Sequence, residues 1–368
     1  MNKEVPYVNL SAQWHEEKDD LLPIIERVMA SGVFVGGDEV ANFEALAAEL
    51  CGVKHCVALN SGTDALVCAL KALGVSRGDE VITPPNSFVA STASIIHIGA
   101  VPVFSDVLAN QNIDPREIEA SITSRTKAIM PVHLTGRMAN MEAIMEIAER
   151  HGIFVVEDAA QSIGSSFDGK MSGAYGHVGC FSTHPLKNLN ACGDGGFITT
   201  NNPALAEAVM SMRNHGMLDR NTVEAFGYVS RMDALQAAIL TYRISMLPGV
   251  IERRRANANV YYECLDPRYV FLPEQDIREF NTFHTFVIQV DRRDELSEFL
   301  RSNCVQTAIH YPVPIHMQPA AKSLGYQVGD FQVTEKQAGR ILTLPVHQSI
   351  DSEQINTVAK LVNKFYGA

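Results

Sequence analysis

The sequence has no CxxC pair, no HExxH and no G-x-G-x-x-G, and each absence removes a chemistry. Its seven cysteines are scattered, odd in number and without metal-ligand spacing, so they are expected as buried free thiols in a reducing compartment. The twelve histidines form no ligand set with them, and no metal is expected. A nicotinamide-linked oxidoreductase would need the missing glycine fingerprint. Basic charge is also scarce. The formal net charge of −12 disfavours a general nucleic-acid binder, which needs a basic face to neutralise phosphates. A small anionic ligand remains compatible, because local donors outweigh global charge. No long apolar run suggests a membrane span, and MNKEVPYVNLSAQWHEEKDD lacks the apolar core of a signal peptide, so a soluble cytoplasmic protein is expected.

What is present is an alternation. Short β-rich runs (HCVALN, EVITPP, VPVFSD, AIMPVH, FVVED, VGCFST) alternate with helix-like stretches such as DALVCALKAL and NMEAIMEIAERHG. Strands too apolar for one exposed face predict an α/β fold, with a mostly parallel sheet sandwiched by helices. A long amphipathic stretch, MDALQAAILTYRISML, followed by RRRANANVYYECL, is expected to bridge two domains. The pattern changes near residue 248. A large domain over 1–248, including the N-terminal segment, and a smaller C-terminal α+β domain over 249–368 are therefore expected.

Three stretches carry chemistry. In HCVALNSGTDALVCALKAL an apolar strand runs through Asn60-Ser61-Gly62-Thr63 into a helix. The free N–H groups and positive dipole end there suit a phosphate, and Gly62 allows close approach. The alternative is simple N-capping by Ser61 or Thr63. FVVEDAAQSIG places Asp158 at the end of a strand, where parallel sheets gather ligands. A carboxylate buried there needs a cationic partner, either a protonated heteroaromatic nitrogen or an arginine. In FSTHPLKNLNACGDGGFITT, Lys187 lies between a strand and the turn-forming Gly193-Asp194-Gly195-Gly196, which predicts an amine projecting into a cleft. GSSFDGKM fits G-x-x-x-x-G-K, but Met171 stands where a magnesium-binding Ser or Thr should be, so it reads as a surface hairpin. Amine, carboxylate and phosphate seat together fit pyridoxal 5'-phosphate: a Schiff-base lysine, a partner for the pyridine nitrogen and a helix N-terminus for the phosphate.

The order and spacing of these stretches resemble the DegT/DnrJ/EryC1 family, sugar aminotransferases of the aspartate-aminotransferase-like fold type I. SGVFVGGDEVANFEALAAELCGVKH, SFVASTASIIHIGAVPVFSDV, TSRTKAIMPVHLTGRMANM, SRMDALQAAIL and HYPVPIHMQP extend the likeness over nearly the whole chain. The resemblance implies a homodimeric, pyridoxal-phosphate-dependent transaminase with active sites at the interface. It would move an amino group from L-glutamate to a keto-sugar, generally nucleotide-linked, in amino-sugar or polysaccharide biosynthesis.

Carried over by position, Lys187 is the Schiff-base lysine and proton shuttle, and Asp158 pairs with the pyridinium nitrogen. Gln161 approaches the phenolic oxygen, Phe88 stacks on the ring, and Gly62, Thr63 and Ser182 hold the phosphate. His184, His310, Tyr311 and His316 are substrate candidates. Val229 departs from the pattern, because members commonly carry there an Asn that crosses to the neighbouring subunit's phosphate, and valine cannot donate that bond. Two alternatives are a dehydratase of the same family and a non-catalytic regulatory protein binding the cofactor or a sugar nucleotide. Family dehydratases typically replace the lysine by histidine, so Lys187 argues against the first.

Overall fold

The structure, a computed structural model, describes residues 4–367. The apolar runs form a seven-stranded sheet in the order His55–Leu59, Gly196–Thr200, Val178–Ser182, Phe154–Asp158, Thr126–Ile129, Glu80–Thr83 and Val101–Phe104. Only Gly196–Thr200 runs against its neighbours, while the pairings from Val178–Ser182 to Val101–Phe104 are all parallel.

These strands are apolar on both faces because both faces are covered. Val57, Val81, Ala128, Val156 and Val178 pack with Ala65, Leu66, Ala69 and Leu70 of the helix Gly62–Ala72. Their odd-numbered or even-numbered neighbours turn the other way, as a period of two requires. Ala58 and Phe181 meet the helices Asp38–Cys51 and Ala234–Cys264, while Ile82, Ile129 and Val155 meet the helix Met141–His151. Phe181 and Phe197 stack with centroids 4.6 Å apart, and Phe43 meets Phe197 edge-on at 5.6 Å. Emptying such a position costs about 3–5 kcal/mol, so the strand that ends in Ser182 is firmly held.

The C-terminal unit has its own three-stranded antiparallel sheet, Val270–Phe271, Phe286–Val290 and Ile341–Leu344, covered by the helices Arg293–Ser302 and Ser352–Tyr366. The stretch around residue 248 is one unbroken helix, Ala234–Cys264, which carries Pro248 inside it. Its first half, with Ala237, Leu240 and Leu247, belongs to the core of the large sheet, and its second half, with Ala258 and Tyr261, to the C-terminal core. By length and composition this helix could cross a membrane, but the buried residues distributed along it describe a core helix. The N-terminal segment docks on the C-terminal unit, where Val5 bridges Val305. GSSFDGKM forms the hairpin Ser166–Phe167 with Lys170–Met171, turned at Gly169 with φ +75°.

Candidate active site

Parallel strands release their chains at one edge of the sheet, and the chemistry collects there. Ser61 and Gly62 follow His55–Leu59, Phe88 follows Glu80–Thr83, and Asp158 and Ser182 end their own strands. The C-terminal unit closes over this edge and leaves a cavity of about 450 Å³. Gly62, Thr63, Phe88, Asp158, Gln161, Ser182, His184, Lys187, His310 and Tyr311 all line it. His316 does not. Its ring is buried between Phe104 and Phe331, and its Nε2 lies 3.0 Å from Glu335 Oε1, so apolar packing and a carboxylate hold it in the C-terminal unit.

Ser61 caps the helix Gly62–Ala72 by accepting from Asp64 N–H at 3.1 Å. This cap leaves the N–H groups of Gly62 and Thr63 without an acceptor among the described residues. Gly62 is required by close approach, because a Cβ on it would lie 2.7 Å from Ser182 Cβ. The cluster after Lys187 is explained differently from the sequence reading. Gly193 turns the chain at φ +151°, but a Cβ on Gly195 would meet Thr183 Oγ1 at 2.3 Å, and one on Gly196 would meet Ser61 C at 2.4 Å. Those two glycines bring the Gly196–Thr200 strand against the helix start rather than bending it.

Asp158 and its neighbour Glu157 point to opposite faces, as strand geometry dictates. Glu157 is fully satisfied, accepting from the N–H groups of Gly173 (2.9 Å), Tyr175 (2.8 Å) and Gly176 (2.6 Å), with His133 Nε2 at 2.9 Å. Asp158 faces the cavity, accepting from Ser91 Oγ at 2.7 Å and from Ala160 N–H at 3.2 Å. Burial pushes its carboxyl up from the usual range, against those two hydrogen bonds and the charges of Lys187 and His133. No cationic side chain among the described residues lies within ion-pair distance of it. Lys187 sits in a turn closed by its N–H donating to His184 O at 2.8 Å, and burial lowers its amine to about 8, opposed by Asp158.

Gln161 accepts from Thr135 N–H at 2.7 Å and turns its Nε2 to Tyr311, 3.5 Å away. The Phe88 ring is exposed and lies 5.8 Å from that of Tyr311. Burial lowers His310 to about 4, and its Nδ1 meets Thr343 Oγ1 at 2.9 Å. Tyr7, Arg254, His284 and His347 also line the cavity and have no sequence motif. They come from the N-terminal segment, the long helix and two loops of the C-terminal unit. Val229 lies outside the cavity lining, exposed and bridged to Asn214.

Residues 15–363 match the DegT/DnrJ/EryC1/StrS aminotransferase family. The chain is 41% identical over 366 residues to a pleiotropic regulatory protein of Geobacillus stearothermophilus, with 98% of each chain covered. It is 38% identical over 371 residues to a UDP-N-acetyl-3-dehydro-alpha-D-glucosamine 3-aminotransferase of Acidithiobacillus ferrooxidans, with 99% of this chain and 98% of that protein covered. The crystal structure of S. venezuelae DesV in complex with a ketimine intermediate superposes with a TM-score of 0.97 at 37% identity, covering 100% of both chains.

Proposed function

The chain belongs to the DegT/DnrJ/EryC1/StrS aminotransferase family, and from that membership we propose that it transfers an amino group from L-glutamate to the ketone of a nucleotide-linked sugar. The observation that carries this reading is the meeting of Lys187, Asp158 and the free helix start at Gly62 in one cavity. The donor set fits pyridoxal phosphate on three counts. Two unclaimed N–H groups at a helix N-terminus suit a phosphate. A buried carboxylate without a cation suits a protonated ring nitrogen. An amine lowered to about 8 is a competent nucleophile near neutral pH.

Gly62, Thr63 and Ser182 would hold the phosphate, Asp158 the ring nitrogen, Gln161 the phenolic oxygen, and Phe88 the ring face. When bound, the cofactor supplies an electrophilic carbon for the donor nitrogen and a ring that accepts the electron pair left by a departing proton. Lys187 Nζ takes the proton from Cα of glutamate and, in the second half, returns one to the sugar carbon that receives nitrogen. His184, His310 and Tyr311 face the space left for the sugar. Burial keeps His310 neutral, so it meets hydroxyls as a hydrogen-bond partner rather than as a charge.

We place the enzyme in the cytoplasm as a homodimer. The loop after residue 213 exposes Leu218, Val223, Phe226 and Val229, an apolar stretch that a second copy would cover. The presence of Lys187 disfavours the dehydratase, Lys187, Asp158 and the helix start together disfavour a purely regulatory protein, and measurable transamination would remove that alternative.

The test is the visible absorption spectrum of the purified protein before and after L-glutamate. A yellow band that bleaches supports the reading, and no band after incubation with pyridoxal phosphate sinks it. Two further outcomes are expected. Cofactor uptake by the stripped protein should accelerate as pH rises through about 8, because only the neutral Lys187 amine attacks. A rise delayed to the ordinary lysine range would contradict this. Gly62→Val should weaken cofactor retention by roughly tenfold or more, about 1.4 kcal/mol, because its side chain enters the space of Ser182 and the phosphate. Equilibrium dialysis against pyridoxal phosphate measures it.

A further inference from the structure

Four arginines are buried among the described residues: Arg137, Arg243, Arg254 and Arg293. Three are neutralised. Arg137 pairs with Glu279 at 2.6 Å, Arg243 with Glu17 at 2.6 Å and Arg293 with Asp294 at 2.5 Å. Arg254 is the exception, with no carboxylate of the described residues within ion-pair distance. Its protein partners are neutral oxygens: Nε donates to Gln348 Oε1 at 3.2 Å, and Nη1 to the carbonyls of Phe283 at 3.3 Å and His284 at 3.1 Å.

A guanidinium has five N–H donors. These contacts use three, and Nη2 has no acceptor among the described residues. It is also not among the polar atoms sealed from contact, so it stays open where Arg254 lines the cavity. The same side chain and Lys187 both line the smaller recess beside that cavity. A buried cation without a counter-charge is costly, and burial accordingly pulls Arg254 down to about 10. The neighbours do not relieve it. Burial lowers His284 well below its usual value and His347 to about 4, in each case with Arg254 adding to the shift, so both rings face Arg254 uncharged. Asp158 and Asp194 line the cavity, but neither pairs with it.

Among the described residues no anion supplies the missing counter-charge. We propose that Arg254 is the seat for a carboxylate of the amino donor, and of the 2-oxo acid it leaves behind. This rests on the transaminase reading above and adds to it the residue that selects an amino acid over a simple amine. The two N–H groups of Nη2 are the donors left for a carboxylate, while the bonds of Nε and Nη1 tie the side chain to the loops at 283–284 and 348 and fix its direction. Because Arg254 lines the same cavity and the same recess as Lys187, a carboxylate held there would bring the donor carbon into the space that the base faces.

The test uses the cofactor-loaded wild type, Arg254→Lys and Arg254→Gln, with cofactor content and thermal melting checked for each. Calorimetric titration with glutarate, a dicarboxylate that cannot react, reads the seat directly, and titrations with UDP and dTDP read the sugar-nucleotide side. The expected result is a loss of glutarate affinity on the order of tenfold in Arg254→Lys and more in Arg254→Gln, with nucleotide affinity changed less than about twofold. Undiminished glutarate binding in a folded variant, no glutarate binding to the wild type, or an equal loss for the nucleotides would each overturn the proposal. If Arg254→Gln does not fold, Arg254→Lys keeps the charge and carries the test. The two readings fail separately: a wild type that binds glutarate through Arg254 but shows no spectral response to L-glutamate would reject the transaminase and leave the carboxylate seat standing.

Discussion

Lys187→Ala is expected to reduce transamination by about 10²–10⁴-fold from the loss of proton transfer alone, and further from the loss of the nucleophile. The purified variant should still take up pyridoxal phosphate through the seat at Gly62 and Thr63, but borohydride should no longer fix the cofactor to the chain. Folding is not at stake, because Lys187 Nζ makes no hydrogen bond among the described residues, and its turn is closed by backbone groups. Lys187→Arg is the sharper control. It keeps the positive charge near Asp158 but cannot deprotonate in the accessible pH range, so it should be as inactive as the alanine variant. Near-normal turnover in either variant, measured with L-glutamate and a keto-sugar nucleotide, would remove Lys187 from the chemistry.

The second large effect is expected from Asp158→Asn. Both carboxylate oxygens now accept hydrogen bonds, one from Ser91 Oγ and the other from Ala160 N–H, in a buried setting that raises the carboxyl above its usual range. An amide has one accepting oxygen, so it must present N–H to Ser91 or to the ring nitrogen, and in either case the charge that keeps that nitrogen protonated is gone. Loss of such preorganised electrostatic support costs about 10²–10³-fold. The loss should be similar with L-glutamate and with the amino-sugar product in the reverse direction, since the same ring accepts electrons in both. Stopped-flow absorbance on each half-reaction separates this from a substrate contact, which would affect only one. Equal rates for wild type and Asp158→Asn would mean that another group partners the ring nitrogen.

Much of the site was legible in the sequence because its cofactor side is built locally. Gly62, Asp158 and Lys187 each sit where a strand meets a turn or a helix, and period, glycine placement and residue type reveal such junctions within ten or so residues. The two-faced apolar strands likewise announced a covered parallel sheet. Even the rejected G-x-x-x-x-G-K could be read as a hairpin from its turn residues.

Other features had no local signal. Glu157 and Asp158 are adjacent carboxylates in the same strand, and only the packing of the sheet decides that one is neutralised by three backbone N–H groups and His133 while the other faces the cavity. Gly195 and Gly196 look like turn residues, yet their need arises from Thr183 and Ser61, distant in the chain. His310 and His316 lie six positions apart in one short segment, but one lines the cavity and the other is buried against Phe331 and Glu335.

Arg254 is the clearest case. In RRRANANVYYECL it is one of three consecutive arginines, and nothing local distinguishes it from Arg253, which makes an exposed pair with Glu16. The sequence by itself determined the sheet, its coverage and the strand-end groups proposed to meet the cofactor, because hydrophobic period and turn chemistry act over a few residues. Only the tertiary structure decided which charges are buried without a partner, because desolvation depends on everything packed around a group, and Phe283, His284 and Gln348, the neighbours of Arg254, come from separate segments of the chain.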